Sequence, residues 1–518
     1  MSLKTLSNVK LGVGQSESEL IKIAEKTLKK KAAYFAIKKK SLDAREKNNV
    51  KYIYTIEFSD TPYQEEEVCL ERLCANKLPR KPVLVVGSGP AGLFCALRLL
   101  ERGILPIVIE RGPCVDEREK KINLFFNEHV LDTEANIQFG EGGAGTFSDG
   151  KLNTQTHSAL NKDVLKTFVK FGAPKEILWL NKAHIGSDNL KNVVKNMREY
   201  IRRQGGQVWF NTRLDEIHTK NGRIQQATFT KTENGVKTQQ TIDVFALVLA
   251  IGHSARDTFE MLLHKGVYMR AKDFAVGVRI EHLQSEIGMA QYGKVYSQLP
   301  AADYKLVSRC EDRSAFTFCM CPGGYVMPST SETGGVVTNG MSNYARDGRN
   351  ANSALIAQVS RADFASDSAL AGIEFQRSIE RAAYIAGGSN YSAPVQLVGD
   401  FLQDKTSARF GDVTPTYAAG TAFADLRAVL PKPIISALKT AIVDMDRKLK
   451  GFACPDAILT AVESRTSSPV RIERDESLQS ISVSALYPCG EGAGYAGGIT
   501  SSAADGIRVA DALYYSLL

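Results

Sequence analysis

Gly87, Gly89 and Gly92 stand as GxGxxG between the apolar run VLVV and the helix-forming stretch LFCALRLLERG. A glycine turn placed between a strand and a helix can hold a phosphate, because the helix N-terminus directs backbone N–H groups and the positive end of its dipole at the anion. The first glycine permits the tight turn, the second lets the backbone approach a pyrophosphate, and the third allows close helix–sheet packing. Ser88, Pro90 and Ala91 complete the loop. Glu110 closes the next apolar run, about twenty residues on, where a carboxylate accepts hydrogen bonds from a ribose. Strand, glycine turn, helix and terminal acid together point to a dinucleotide; a turn serving packing alone would not need the acid.

Three further constellations could carry chemistry. Cys319 and Cys321 lie one residue apart in FCMCPGG, a spacing open to a dithiol relay, a pair of metal ligands, or two half-buried strand cysteines without chemistry. No further Cys or His pair completes a zinc quartet, so no metal site is expected. Arg465 and Arg471 flank the hydroxyl-rich turn of ESRTSSPVRIERD, residues 463–475. Either guanidinium could hold an anionic substrate or polarise a developing negative charge, or bridge two parts of the chain. Arg279 and His282, in VGVRIEH, fall on opposite faces of an expected strand and read as satisfied structural groups.

From residue 82 onward the sequence resembles the two-dinucleotide-binding flavoproteins of the glutathione reductase type, and within them the family of FAD-dependent or NAD(FAD)-utilising dehydrogenases. That resemblance implies FAD as cofactor. It sets Arg111 and Arg118 of ERGPCVDER, and Gly142, Gly143 and Ala144 of FGEGGAGTFSDGKLN, near the flavin side. In VLAIGHSAR it implies a close backbone pass at Gly252, with Arg256 following; Ile251 stands where threonine is common, and His253 reads as a positioned loop residue. In LYPCGEGAGYAGGITSSAADGIRVA, Glu491 takes the place of an aspartate, and Gly492, Ala493, Gly498 and Ile499 bring N–H groups to the isoalloxazine edge. The implied activity is an FAD-dependent oxidoreductase moving a hydride or electron pair between FAD and a small-molecule substrate, with NAD(P)H as a transient donor. No second strand-borne GxGxxG accompanies the first, so a full pyridine-nucleotide domain is not expected, and only Cys114 lies near the place of the relatives' redox cysteine pair, so those relatives' disulfide-reductase mechanism is disfavoured. Two alternatives stand beside this reading: a tRNA-modifying flavoprotein, and a protein that binds FAD without catalysis.

These residues need a scaffold. At 518 residues and 43% hydrophobic content, the chain is long enough for two or three packed domains. Its longest apolar runs have strand length, far short of a bilayer span. The N-terminus lacks a signal-peptide pattern and cysteine is scattered, so a cytoplasmic protein with reduced thiols and no membrane contact is expected. The net charge of +8 is a mild bias, concentrated at Lys29 to Lys31 and Lys38 to Lys40, where a solvated face is favoured over nucleic-acid contact.

The expected fold class is α/β. Residues 1–80 read as a small α/β module of strand, helix, strand, strand, possible as a ferredoxin-like half, its helix opened by the capping-box pair Ser16 and Glu19. A short helix is expected at 69–82. Residues 81–270 read as the first part of a Rossmann-like FAD-binding domain, a parallel sheet with a β-meander whose hairpin turns at Asn221 and Gly222. Residues 271–475 read as an inserted mixed α/β domain facing the substrate, with helices around 353–359 and 375–388. Residues 476–518 return to the FAD-binding domain as a strand, a glycine-rich loop and a last helix.

Overall fold

A computed structural model of the chain describes residues 3–47, 49–64, 70, 79–154, 156 and 158–517. Its organising layer is a parallel sheet of five strands in the order Leu486–Pro488, Ala246–Leu249, Val83–Val86, Pro106–Ile109, Gln207–Trp209. The central strands are continuous apolar runs because both faces are covered. Val83–Val86 is wholly buried, and the helices Pro90–Glu101 and Ile499–Tyr515 pack against each other over it. From Val83–Val86 the chain turns to one neighbour through Pro90–Glu101 and meets its other neighbour, Ala246–Leu249, from far along the sequence. That reversal opens a crevice at the C-terminal strand ends, where α/β sheets place their ligands. Gly87, Glu110, Ile251 and Cys489 all emerge there.

A three-stranded antiparallel meander, Thr212–Lys220, Arg223–Glu233 and Val236–Asp243, is attached. The second large layer has seven strands, in the order Val307–Arg309, Ser314–Cys321, Asn350–Val359, Phe274–Leu283, Ile458–Glu463, Ala393–Leu397, Thr421–Phe423. Its neighbours are antiparallel except the last pair. Helix Lys432–Lys448 packs on this sheet. A short pairing of Met269–Ala271 with Val470–Ile472 joins the second layer to the first at both passages of the chain.

One expected helix is a strand. The segment 353–359 is part of Asn350–Val359, paired on both sides and buried along nearly all its length. Its alanines and leucine favour a helix locally, but burial between two strands decides the state. The helix expected at 375–388 forms as Ala371–Ala386.

The N-terminal strands Lys4–Gly12, Tyr34–Asp43 and Lys51–Ser59 form an antiparallel sheet with Lys51–Ser59 in the middle, and helix Ser18–Leu28 packs on it. The expected capping box is not made: Glu17 is the N-cap residue, and the Ser16 hydroxyl accepts the Ser18 N–H instead. Lys38 and Lys40 pair with Glu57 and Glu17, so this lysine cluster is partly neutralised within the sheet. The helix expected at 69–82 lies largely outside the described residues. Among the described residues, no helix is long and apolar enough to cross a membrane.

Candidate functional site

The crevice at the strand ends is a cleft with about 1430 Å³ of empty space, part of it open to solvent. Gly87 makes the turn at its root with φ of +104°, and a Cβ there would lie 2.2 Å from the Ala250 carbonyl oxygen, so only glycine fits. Gly89 and Gly498 are the N-cap residues of Pro90–Glu101 and Ile499–Tyr515, and neither helix has a side-chain cap. Two helix N-termini with unsatisfied N–H groups therefore border one cleft. A site of this kind favours a dianion.

Glu110 ties the glycine loops together. Ser88 donates to Glu110 Oε2 through its N–H (3.0 Å) and its hydroxyl (2.9 Å). The Gly112 and Gly140 N–H groups donate to Oε1 at 3.1 and 3.0 Å. The carboxylate reaches the cleft, but these four protein donors occupy the positions expected for a ribose. Its role in the structure is to fix the loop at 87–92 against the loop at 140–143.

Of the other expected cofactor residues, Pro90, Ala91, Arg111, Gly143, Ala144, Gly252, Glu491, Gly498 and Ile499 also line the cleft. Arg111 lies over the Phe139 ring, 4.4 Å from its centroid, and pairs with Asp257 at 2.7 Å. Ser88, Gly92, Gly142, Gly492 and Ala493 stand behind the wall. Gly142 donates to the Ser88 carbonyl at 3.0 Å, and Ala493 is wholly buried. A Cβ on Gly492 would lie 2.4 Å from the Gly252 carbonyl oxygen, so the close pass expected at Gly252 is between two stretches of backbone.

Arg118 and Arg256 are corrections. Arg118 is fully buried and donates only to the backbone carbonyls of Asn136, Ile137, Gly140, Glu141 and Gly143, holding the second glycine loop from behind. Arg256 donates to Gln376, Glu332 and Glu380. Neither faces the cleft; a buried guanidinium takes the nearest acceptors, and both find them within the protein.

The seven-stranded sheet and the segments beside it bring in different chemistry. Cys319, Glu463, Arg465, Asn339 and Thr466 line the cleft there. Arg465 is buried against Glu380, donating at 3.1 and 3.0 Å, and also bonds the Ser331 hydroxyl. Arg471 does not join it: this side chain lies over the Tyr495 ring (4.3 Å) beside Glu473, away from the cleft. The turn between these two arginines sends their side chains to different sides.

Arg279 gains a role the sequence did not suggest. Wholly buried, it donates to Glu463 Oε1 (3.2 Å), to the Cys319 carbonyl (2.8 Å) and to Asn352 Oδ1, and lies 3.6 Å from Cys321 Sγ. His282 points to the other face, where its Nε2 meets the Phe452 carbonyl at 2.9 Å. Lys151 was also missed. Its ammonium bonds the Met320 carbonyl, between the two cysteines, and pairs with Asp149 at 3.1 Å.

Electrostatics follow from this packing. Burial pushes the Glu463 carboxyl up to about 7, with Arg279 opposing and Cys319 adding to the rise. Burial likewise pushes Glu491 up to about 7, with Lys272 opposing. His253 is driven down to about 3 by burial and by Arg465 and Arg256, so its ring is neutral at physiological pH. The Cys319 thiol is lowered by the hydrogen bond from Cys321, and by Lys151 and Arg279 against the cost of burial. The sequence signals for Glu463 and Lys151 were slight: Glu463 stands two residues before the candidate Arg465, and Lys151 directly follows a glycine-rich loop.

Over 492 residues the chain is 48% identical to an uncharacterised protein of Clostridium beijerinckii, across 91% of each chain. The chain belongs to the family of that protein. Its residues 273–466 match the family described as FAD-dependent protein, C-terminal domain-like. Among solved structures, similar chains include a geranylgeranyl bacteriochlorophyll reductase-like protein of Thermoplasma acidophilum, 12% identical, covering 85% of this chain and 79% of that one, with a TM-score of 0.36. The flavin-dependent halogenase CmlS is 12% identical, covering 84% and 58%, with a TM-score of 0.39. The quinol fumarate reductase FrdA of E. coli is 12% identical, covering 85% and 71%, with a TM-score of 0.37.

Proposed function

We propose that the chain is an FAD-dependent oxidoreductase that holds FAD along the cleft and acts on a small molecule at the end lined by Cys319, Glu463 and Arg465. The observation that carries this reading is that two uncapped helix N-termini, at Gly89 and Gly498, face one cleft from opposite ends of the chain. The residues present fit a pyrophosphate: the N–H groups beyond Gly89 and Gly498 would bind it, with Gly87 and the Glu110 network keeping both loops in place. Arg111 and the Gly143 to Ala144 turn would line the rest of the cofactor. When bound, FAD supplies two-electron transfer chemistry. The divisions at 81, 271 and 476 belong to this proposal, supported by the family match over 273–466 and by the parallel sheet, which draws its edge strand from beyond 476.

The substrate end has the groups such a reaction needs. Arg465, fixed by Glu380, presents positive charge to an anionic substrate or to charge developing on it. Glu463, with its carboxyl near neutrality, can take or give a proton at its oxygens. Phe318 and Ile499 add apolar wall that limits water. NAD(P)H remains part of the proposal as electron donor.

The test is the absorbance spectrum of the purified protein, followed by anaerobic addition of NADH, NADPH and panels of small metabolites. Bound yellow flavin that bleaches with one of them supports the reading. Colourless protein that takes up no added FAD removes it, and flavin that no donor reduces turns it into structural binding.

A further inference from the structure

Cys319 and Cys321 sit at the end of strand Ser314–Cys321, where the pairing with Asn350–Val359 slips in register between Phe318 and Cys321. A bulge of this kind re-aims side chains and is common beside active sites. Cys319 takes φ of +42°, a left-handed conformation that a non-glycine residue holds at a cost, and that cost is often met at functional positions. Cys319 lines the cleft, whereas Cys321 is buried behind it. Cys321 donates its thiol proton to the Cys319 carbonyl at 3.3 Å, tying the two residues together across the bulge. Both are free thiols in the structure, and no third Cys, His, Asp or Glu groups with them as metal ligands among the described residues. Arg279 and Lys151 supply two positive charges beside them, and Arg279 also holds Glu463, which lines the same cleft as Cys319. A strand pair without chemistry needs neither the bulge, nor the strained residue, nor a buried arginine and a half-buried lysine beside it.

We propose that Cys319 and Cys321 are a redox-active dithiol, and that the substrate class of this site is a disulfide, reduced by thiol–disulfide exchange. Cys319, facing the cleft, is the attacking sulfur, and Cys321 is the resolving one. The Cys319 thiolate attacks one sulfur of R–S–S–R′; a Cys319–R mixed disulfide forms and R′–S⁻ leaves, taking a proton. Cys321 loses its proton to Glu463 or to water, and its thiolate attacks Cys319 Sγ. The Cys319–Cys321 disulfide forms and R–S⁻ leaves, to be protonated in turn. The substrate has gained two electrons and two protons, and the protein has lost them. Return to the dithiol takes an electron pair from a reduced flavin, and in that respect the inference rests on the proposed cofactor. The depressed Cys319 thiol and raised Cys321 thiol agree with this order of attack.

The test uses the full chain as purified, reduced and then exposed to oxidised glutathione, with peptide mass mapping and flavin content read on the same samples. The expected result is a loss of two hydrogen masses in the peptide holding both cysteines. Cys321→Ser is expected to trap a glutathione adduct on Cys319, and Cys319→Ser to give no adduct at Cys321. Retention of both free thiols in wild type under oxidised glutathione overturns the proposal, as does an adduct on Cys321 in preference to Cys319. Disulfide formation in flavin-free protein upholds the dithiol and counts only against the cofactor; flavin-loaded protein with inert thiols overturns the dithiol alone.

Discussion

Ser88 donates twice to one oxygen of the buried Glu110 carboxylate, through its N–H at 3.0 Å and its hydroxyl at 2.9 Å. The other oxygen takes Gly112 and Gly140, so one carboxylate sets the spacing of both glycine loops. Glu110→Ala would orphan several buried donors, each costing about 1–3 kcal/mol. The expected outcome is a loss of roughly 3 kcal/mol or more in urea unfolding, together with lower flavin content per protein. An unchanged unfolding midpoint with full flavin content would show that the loops hold without it.

Arg118 gives a contrasting case. Its guanidinium meets five backbone carbonyls and no expected ligand. Arg118→Ala should lower stability by roughly 3 kcal/mol or more, because it orphans several buried carbonyl acceptors at about 1–3 kcal/mol each. If Arg118 instead contacted the cofactor directly, Arg118→Lys would lower flavin affinity without moving the melting temperature. The structure predicts that both fall together, because one ammonium cannot serve so many planar acceptors.

The division between what was legible in the sequence and what was not follows from how local each signal is. Gly87, Gly89, Gly92 and Glu110 could be read because a turn between strand and helix fixes its chemistry over a short stretch. The last helix and its glycine loop were readable for the same reason. Arg118 and Arg256 were misassigned because an arginine beside a glycine loop has the same sequence pattern whether it faces a ligand or a ring of carbonyls. The grouping of Lys151, Arg279, Cys321 and Glu463 was hidden because three of them come from strands of one sheet that are far apart in sequence, and Lys151 reaches them from outside that sheet. The strand at 350–359 was lost to its alanines, which say nothing about being buried on both faces.

Acid stability should report on Glu380. Burial alone would raise this carboxyl, but Arg256 and Arg465 outweigh it and hold it well below its ordinary value of 4.5. A carboxylate depressed in the folded state contributes stability that is fully present above its unfolded pKa and is lost as pH falls through the folded one. Stability measured by urea unfolding should therefore fall as pH drops below about 4.5, and more gently in Glu380→Gln. Glu380→Gln should also be less stable at neutral pH, because Arg256 and Arg465 then lose their shared counter-charge. Parallel pH profiles for the two proteins would show that the pair of arginines is neutralised elsewhere, with Glu332 the nearest candidate.

The reactivity of Cys319 should depend on pH in two stages. Cys321, Lys151 and Arg279 favour its thiolate, while burial, Asp149 and Glu463 oppose it. Iodoacetamide reacts with the thiolate, so alkylation of Cys319 should be substantial at pH values where an ordinary thiol, near 9.0, is still protonated. Lys151→Met removes one favourable charge and should move the profile to higher pH. Glu463 works in the opposite sense: its carboxyl titrates near 7, and above that point its negative charge raises the Cys319 pKa. Glu463→Gln should leave the low-pH limb close to wild type and speed alkylation on the high-pH side. Mass mapping of the alkylated peptide against pH checks all three curves. If Lys151→Met and Glu463→Gln shift the curve in the same direction, the charges around Cys319 are not arranged as the structure has them.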